Sequence, residues 1–479
     1  MPLILPGNVA SATASTTFSV ANSCRFNKGD TAYMHKTLSA GNRRTWTFST
    51  WFKRISLGTQ VTFGVVQTST GDNNIMAMQI RADNKLEVWD YVGGVTAAIV
   101  TNRVFRDVSA WYHVVVAADT TDGTANNRLR LYINGTEERG VGGYATDTMP
   151  SQNLDFNINQ NTKVLKFGAY DGGSVGSPAD FYFAETVFID GTQYAASDFG
   201  EFDEDSPTIW KPKDVSELTF GTNGFYFDYE DSSNLGNDVN GGTDLTEVAL
   251  AATDQSPDSP TNNWCVMNHL DNYFQGSTFS EGSLQVVMDT SGVESYNTST
   301  FAVSTGKWYC EVKYSAASSK TITGVASELS KAIGTVLANE EYTWGYEGEN
   351  GNAKNDGNGV SYGDSYTTND IISIALDLDN NKVYFAKNGT WQNSGDPESG
   401  ATGTGAAHSV TAVASTRDGV YYFGSGKRHS DSVTSQWNFG YPSFTISSGN
   451  TDGNGYGNFE YAVPSGYYAL CTKNLAEEG

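Results

Sequence analysis

The chain has 479 residues, more than one hydrophobic core supports, so two or three domains are expected, each long enough to bury a real core. Gly at 51, aromatics at 13% and charged residues at 17%, with no sustained helical apolar stripe, point to an all-β protein with many turns and few, short helices. Asp plus Glu at 54 against Lys plus Arg at 29 gives a net charge of -25, a field that repels polyanions and speaks against nucleic-acid binding.

The amino terminus, MPLILPGNVASATAST, carries no basic segment before its short apolar run, and Pro2 and Pro6 interrupt that run. It does not read as a signal peptide. No window reaches the roughly 18 to 20 apolar residues of a membrane span, so no membrane insertion is expected and the protein reads as soluble and made in a cytosol. A first strand, SVANSCRFN, puts Val20, Asn22, Cys24 and Phe26 on one side. Trp46 to Phe52 then alternates cleanly, and further strands follow at Val61 to Val66, Ile75 to Ile80, Leu86 to Tyr91, Trp111 to Ala117 and Leu129 to Ile133. Gly, Asn and Asp clusters separate them, which is the spacing of a β-sandwich.

WYHVVVAADT (Trp111 to Thr120) followed by RLRLYINGTE (Arg128 to Glu137), with a turn at Asn134-Gly135, resembles the strand pair of laminin-G and concanavalin A-like lectin sandwiches. FYFAETVFIDG (Phe181 to Gly191) closes that domain, expected over residues 1–200. Residues 201–270 read as a connector. Its alternating Phe225, Phe227 and Tyr229 form one more strand able to pack on the first sandwich, and Asp254 to Asn263, with Pro257 and Pro260, forms a turn-rich crossing where the domain boundary is placed.

The third segment, 271–479, is organised around Asp370 to Gly395, DIISIALDLDNNKVYFAKNGTWQNSG. Ile372, Ile374, Leu376 and Leu378 alternate with Ser373, Ala375 and Asp377 as in a half-buried strand, Asp379-Asn380-Asn381 reverses the chain, and Asn388-Gly389 suits a tight hairpin turn. With GKWYCEV (Gly306 to Val312), ITGVAS (Ile322 to Ser327) and QWNFGYPSF (Gln436 to Phe444), this stretch resembles the SPRY domain, a β-sandwich family of binding modules, over roughly Met288 to Leu475. The expected architecture is therefore two antiparallel β-sandwiches, concanavalin A-like then SPRY-like. Phe183 to Lys213, Gly221 to Gly241, Ala252 to Asn268 and the terminal YAVPSGYYALCTKNL (Tyr461 to Leu475) resemble virion proteins of tailed bacteriophages, notably marine ones, that join two such domains. That resemblance implies a virion surface component on tail, baseplate or capsid, assembled in the host cytoplasm. Its partners would be other virion proteins and a host-surface glycan or protein. A homo-oligomer is expected, with a trimer the guess. No heptad or G-X-Y repeat appears, so the chain reads as a compact knob rather than a shaft.

Four cysteines, Cys24, Cys265, Cys310 and Cys471, are too few and too far apart for a disulfide scaffold or a CxxC metal site. They read as small buried hydrophobes, with a Cys310 to Cys471 bridge as the alternative. Concanavalin A-like glycoside hydrolases carry two Glu residues four apart with an Asp between them. Glu201-Phe202-Asp203-Glu204-Asp205 falls short of that pattern because Asp205 replaces the second Glu, and Gly200 and Pro207 suggest a loop. No Ser-His-Asp or HExxH arrangement can be assembled: His113 sits in an apolar strand, and His269, His408 and His429 lie in polar surroundings. No catalytic residue and no required cofactor is expected.

Laminin-G-like domains often hold calcium at a loop rim, and the carboxylates offered here are Asp119, Asp122 and Asp171. Asn450 to Gly455 imitates the start of a calcium loop, but Tyr461 stands where Glu should close it. For a glycan, the candidates are Trp89 and Tyr91, outward on one sheet, and the loop aromatics Trp344, Tyr346 and Tyr362 of the second domain. Two readings follow: a non-enzymatic virion adhesin, or a structural decoration or connector protein binding other virion subunits. A hydrolase of envelope polysaccharide ranks third.

Overall fold

The computed structural model describes residues 18–479 except 60, 63, 69–73, 172–174, 205, 273–275, 289–293, 318–320, 330–334 and 429–431. His429 and Asp205 therefore lie outside the described residues. The chain forms two compact units that divide between Asn262 and Asn263. Each is an antiparallel β-sandwich, and the only α-helices among the described residues are Glu138–Val141 and Thr472–Glu478.

In the first unit one sheet runs Thr136–Glu137, Leu129–Ile133, Trp111–Asp119, Thr45–Arg54, Phe181–Asp190, Ser23–Phe26 and Gln255–Ser256. The other runs Tyr144–Thr148, Val95–Val104, Lys85–Val92, Asn74–Ile80, Val65–Thr68, Val164–Phe167, Tyr33–Thr37 and Thr246–Val248. Alternation places Trp46, Phe48 and Phe52 of the first sheet against Met76, Met78, Leu86 and Val88 of the second, and these form one continuous core. The strand read as Val61 to Val66 is broken into Val61–Thr62 and Val65–Thr68.

Phe181–Asp190 is buried along its whole length, although its sequence alternates only in part. Its outward face, with Val187 and Ile189, is roofed by Ala196, Phe199, Val215 and Phe220. Phe225–Phe227 pairs with the same strand through Thr186↔Phe227 and Phe188↔Phe225. The turn-rich stretch before the unit boundary is clamped by charge: Lys53 Nζ lies 2.7 Å from Asp258, both fully buried, and Trp111 Nε1 donates to the other Asp258 oxygen at 2.9 Å.

The second unit has one sheet ordered Ser277–Ser280, Gln285–Met288, Val433–Asn438, Lys307–Ala316, Ile371–Asp377, Lys382–Lys387 and Thr390–Trp391. The facing sheet is ordered Ser295–Thr298, Tyr422–Lys427, Thr321–Ala326, Thr343–Glu347, Asn352–Asn355 and Asn358–Ser361. The turn at Asn388-Gly389 has φ of 49° and 79°, the left-handed pair that a two-residue hairpin needs.

One expectation fails here. Ile371–Asp377 is buried on both faces rather than one. Ile374 and Leu376 pair with Cys310 and Trp308 on the core side, while Ser373 and Ala375 pair with Glu311 and Tyr309 on the other. That second face is covered by the carboxy-terminal segment: Phe459 packs edge-on against Tyr309 at 5.0 Å, and the fully buried Glu311 carboxylate accepts from the Glu460 and Tyr461 backbone N–H groups at 2.9 and 2.8 Å. Tyr309 Oη and Asn438 Nδ2 complete its shell. All four cysteines are buried free thiols, so the Cys310 to Cys471 bridge is not formed.

Candidate functional site: an aromatic sheet face in the first unit

Lys85–Val92 alternates perfectly, with Leu86, Val88 and Asp90 inward and Glu87, Trp89 and Tyr91 half-buried on the outward face. What lies beside the two rings is set by register. Trp89 stands between Ala77 and Ala98, and Tyr91 between Ile75 and Val95. Two alanines as cross-strand neighbours leave room beside the indole, which is half-buried with its Nε1 enclosed. The rings of Trp89 and Tyr91 meet edge to face at 6.3 Å, and Tyr170 joins them over Ile75 and Ala77.

Polar groups border this platform on one side. Glu87, two residues from Trp89 on the same face, accepts from Gln79 Nε2 and from Arg81 Nη1, the latter at 3.2 Å. On the other side the hairpin tip exposes Val92 and Val95, 48% and 57% accessible. Aromatic faces over small residues, flanked by a carboxylate, an amide and a guanidinium, are what stacking and hydrogen bonding to a sugar ring require.

The adjoining loop rim is rich in amides and carboxylates, but they satisfy one another. Asp90, fully buried, accepts from the Asn157 backbone N–H at 2.7 Å and from Thr96 Oγ1 at 2.5 Å, and burial raises its pKa. Asp190 accepts from the Asn42 N–H at 2.7 Å and from Asn159 Nδ2 at 3.1 Å, while Asn223 ties Asn159 to Ser39. These groups fix the rim and leave the aromatic face as the surface with chemistry to spare. They carry no signature in sequence, because Asp90 and Asp190 simply continue strand patterns.

Of the carboxylates considered for calcium, Asp119 and Asp122 are engaged within their own turns. Asp119 accepts from the Thr121 backbone N–H at 2.9 Å and its hydroxyl at 2.6 Å. Asp122 accepts from the Thr124 N–H at 2.6 Å and from Asn127 Nδ2 at 3.1 Å; these bonds, the Thr124 N–H foremost, hold its carboxyl below the usual range. Asp171 lies on the short strand Tyr170–Asp171, and its side chain is outside those described. Among the described residues no three His, Cys, Asp or Glu side chains are grouped as a metal-binding cluster. In the second unit Asp452 of the calcium-like loop is buried, accepting from the Ala469 N–H at 2.9 Å and Asn474 Nδ2 at 2.7 Å.

Trp344, Tyr346 and Tyr362 are not the exposed loop aromatics that their Gly-rich surroundings suggested. They are 3%, 0% and 7% accessible. Tyr346 stacks on Phe385 at 5.6 Å and meets Tyr362 at 5.7 Å inside the sandwich. The glycines serve the opposite face: a Cβ on Gly345 would come within 3.0 Å of the Ala338 Cβ, and one on Gly426 within 3.2 Å of the Leu337 Cβ. They let the stretch holding Val336, Leu337 and Ala338 lie flat on the sheet.

Two constellations with catalytic residue types resolve into structure. Ser49 Oγ lies 2.9 Å from His113 Nε2, but Trp210 Nε1 donates to His113 Nδ1 at 2.9 Å. The neutral ring therefore carries its proton on Nε2 and donates to Ser49, so it cannot take the hydroxyl proton; burial pushes its pKa down to about 3. Glu201 sits on the Gly200–Phe202 hairpin, 44% exposed and 3.5 Å from Lys211 Nζ. Sequence reasoning also passed over Glu185, which occupies a bulge where the register jumps between Ala184 and Val187. Its φ is 48°, its carboxyl accepts from Tyr226 Oη at 2.6 Å, and burial raises its pKa to about 8.

Residues 27–175 match the concanavalin A-like lectin/glucanases superfamily, and residues 307–405 match the SPRY domain. No curated protein matches the chain. Among solved structures, it is similar to the SPRY domain of human HERC1, with 16% identity and TM-score 0.26, covering 34% of this chain and 91% of that one. It is also similar to a Bacteroides ovatus protein described as carbohydrate-binding, with 14% identity and TM-score 0.34, over 49% of this chain and 59% of the other. A third is the heptameric SAP-like pentraxin of Limulus polyphemus, at 14% identity and TM-score 0.28, over 37% and 80% of the two chains.

Proposed function

We propose that this chain, in which a concanavalin A-like module precedes a SPRY module, is a non-enzymatic surface protein of a tailed-phage virion that binds a host-surface glycan. The observation that carries the glycan reading is the outward pair Trp89 and Tyr91, with Ala77 and Ala98 on either side of the indole and Glu87, Gln79 and Arg81 alongside. The virion reading is supported by the resemblance of residues 183–213, 221–241, 252–268 and 461–475 to virion proteins. Against hydrolysis stand the His113 tautomer and the exposed, Lys211-paired Glu201.

The test is binding of the purified full chain to an array of envelope polysaccharides and lipopolysaccharides. The double variant Trp89→Ala, Tyr91→Ala should lose about tenfold or more in affinity, since each stacked ring contributes on the order of 1 kcal/mol. Its melting temperature should stay close to the parent's, because neither ring belongs to the main core. Retention by assembled particles with no glycan signal would favour the decoration role, and release of reducing sugar would favour the hydrolase.

A further inference from the structure

Sheet edges expose unpaired backbone groups and are normally blunted. Among the described residues nearly every edge of this chain is. Thr136–Glu137, Gln255–Ser256 and Thr390–Trp391 are two residues long, and Thr246–Val248 is three. Tyr144–Thr148 carries a bulge between Tyr144 and Thr146 and the Arg139–Asp147 ion pair. Ser295–Thr298 is wholly buried. On Ser277–Ser280 the side chain of Asn272 occupies both backbone groups of Ser277, donating to its carbonyl at 2.8 Å and accepting from its N–H at 3.3 Å.

Asn358–Ser361, the last strand of its six-stranded sheet, has none of these devices. All four residues are exposed, with no proline, charge or bulge. It is held by a two-residue turn at Asp356 and Gly357, both with positive φ (49° and 73°), a type I′ hairpin. In such a hairpin the closing pair Asn355↔Asn358, and then Ala353↔Val360, are the hydrogen-bonded pairs. The N–H and C=O groups of Gly359 and Ser361 consequently point away from the sheet.

Val360 continues the core-facing row Tyr346↔Ala353↔Val360, yet it is 63% accessible while its two predecessors are buried. The sandwich stops one strand short of covering it. Charge selects the kind of chain that could finish the sheet. Between Thr343 and Thr368 the sequence carries Glu347, Glu349, Asp356 and Asp364 against Lys354; the buried Glu347 is met by both Lys354 and Arg428, at 3.2 and 3.0 Å, so the acidity beside the edge strand comes from the turn residue Asp356 and from Asp364.

We infer that this edge is a docking site for an extended segment of a partner protein bearing Lys or Arg beside alternating β-branched residues. The segment adds as a seventh strand to Asn358–Ser361. A second copy of this chain is disfavoured because it would bring the same acidic edge, on a molecule of net charge -25, against itself.

The experiment uses the full chain and two labelled strand-forming peptides, KTVTVK and ETVTVE, with anisotropy at low ionic strength. The basic peptide should bind about tenfold or more tightly than the acidic one, with the difference shrinking as salt rises. N-methylation of alternate peptide amides should abolish binding, as should Ser361→Pro, which removes an outward N–H without touching the internal ladder. Amide exchange on the parent chain should slow at Gly359 and Ser361 and stay unchanged at Asn358 and Val360. Equal affinity for both peptides, binding that survives N-methylation, or slowing at other amides overturns the proposal. So does concentration-dependent dimerisation that Ser361→Pro removes, which assigns the edge to a second copy.

Discussion

Glu185 shows how much one position can be made to bear. A non-glycine residue at φ 48° in the middle of a buried strand is strained, and its carboxyl, which accepts from the Tyr226 hydroxyl, feels the charges of Asp228, Glu230 and Asp214. Desolvation first, and then those carboxylates, raise its pKa to about 8. The folded form therefore holds a proton that the unfolded chain releases above about 4.5, so the stability it contributes is full below about 4.5 and lost as pH rises through about 8. Glu185→Gln should match the parent's melting temperature near pH 4 and exceed it by several degrees at pH 8, as read by calorimetry across that range. Lys53 and Asp258 pose the reverse case. With Asp258→Ala the ammonium is left buried without its partner, at a cost of about 3 to 5 kcal/mol to the first module in a urea titration. Neither position is legible in sequence. A bulge has no period, and a charge in a turn-rich stretch reads as solvated until the strand it meets is known.

At the level of strands, what the pattern revealed depended on how many faces were covered. Lys85–Val92 is covered on one side only, so the inward set of Leu86 and Val88 and the outward set of Trp89 and Tyr91 could be separated by counting. Thr343–Glu347 is covered on both, and its Trp-Gly-Tyr-Glu-Gly run reads in sequence as a loop. Gly345 there, and Gly426 on strand Tyr422–Lys427 of the same sheet, are contact positions for Ala338 and Leu337. Gly426→Val should therefore cost about 1 to 3 kcal/mol through overpacking against the Ser295 carbonyl, Tyr296 and Leu337, while the solvent-facing Gly357→Asn change, at a turn with φ 73°, should cost far less. Thermal melts of the two variants side by side measure the contrast. Ile371–Asp377 teaches the same lesson: its alternation is real, but the residues that roof its second face come from more than eighty positions later, beyond the reach of any local reading.

For the whole molecule, composition settled the class and little else. Abundant glycine, abundant aromatics and sparse charge announced an all-β chain and the length more than one domain, while the strand order within each sheet was not in the pattern at all. The first sheet, for example, places Thr45–Arg54 between Trp111–Asp119 and Phe181–Asp190, pairings that span more than fifty and more than a hundred residues. The net charge of -25 does make a prediction at this scale. Duplex DNA and heparin should not be retained by the immobilised chain even at low ionic strength, whereas a basic protein should be, and a gel-shift or column run with each checks it.

The second module is also stitched end to end. The Asn263 N–H donates to Thr472 Oγ1 at 2.9 Å, the Thr472 N–H donates back to the Asn263 carbonyl at 2.8 Å, and Trp264 bridges Cys471. A ribosome making this chain delivers the opening of that module some two hundred residues before the piece that latches it. Until residue 472 has emerged from the exit tunnel, Trp264 has no lid and the strands between can only wait. Closure of the module therefore waits on the arrival of that distant latch, however early its first strands are made.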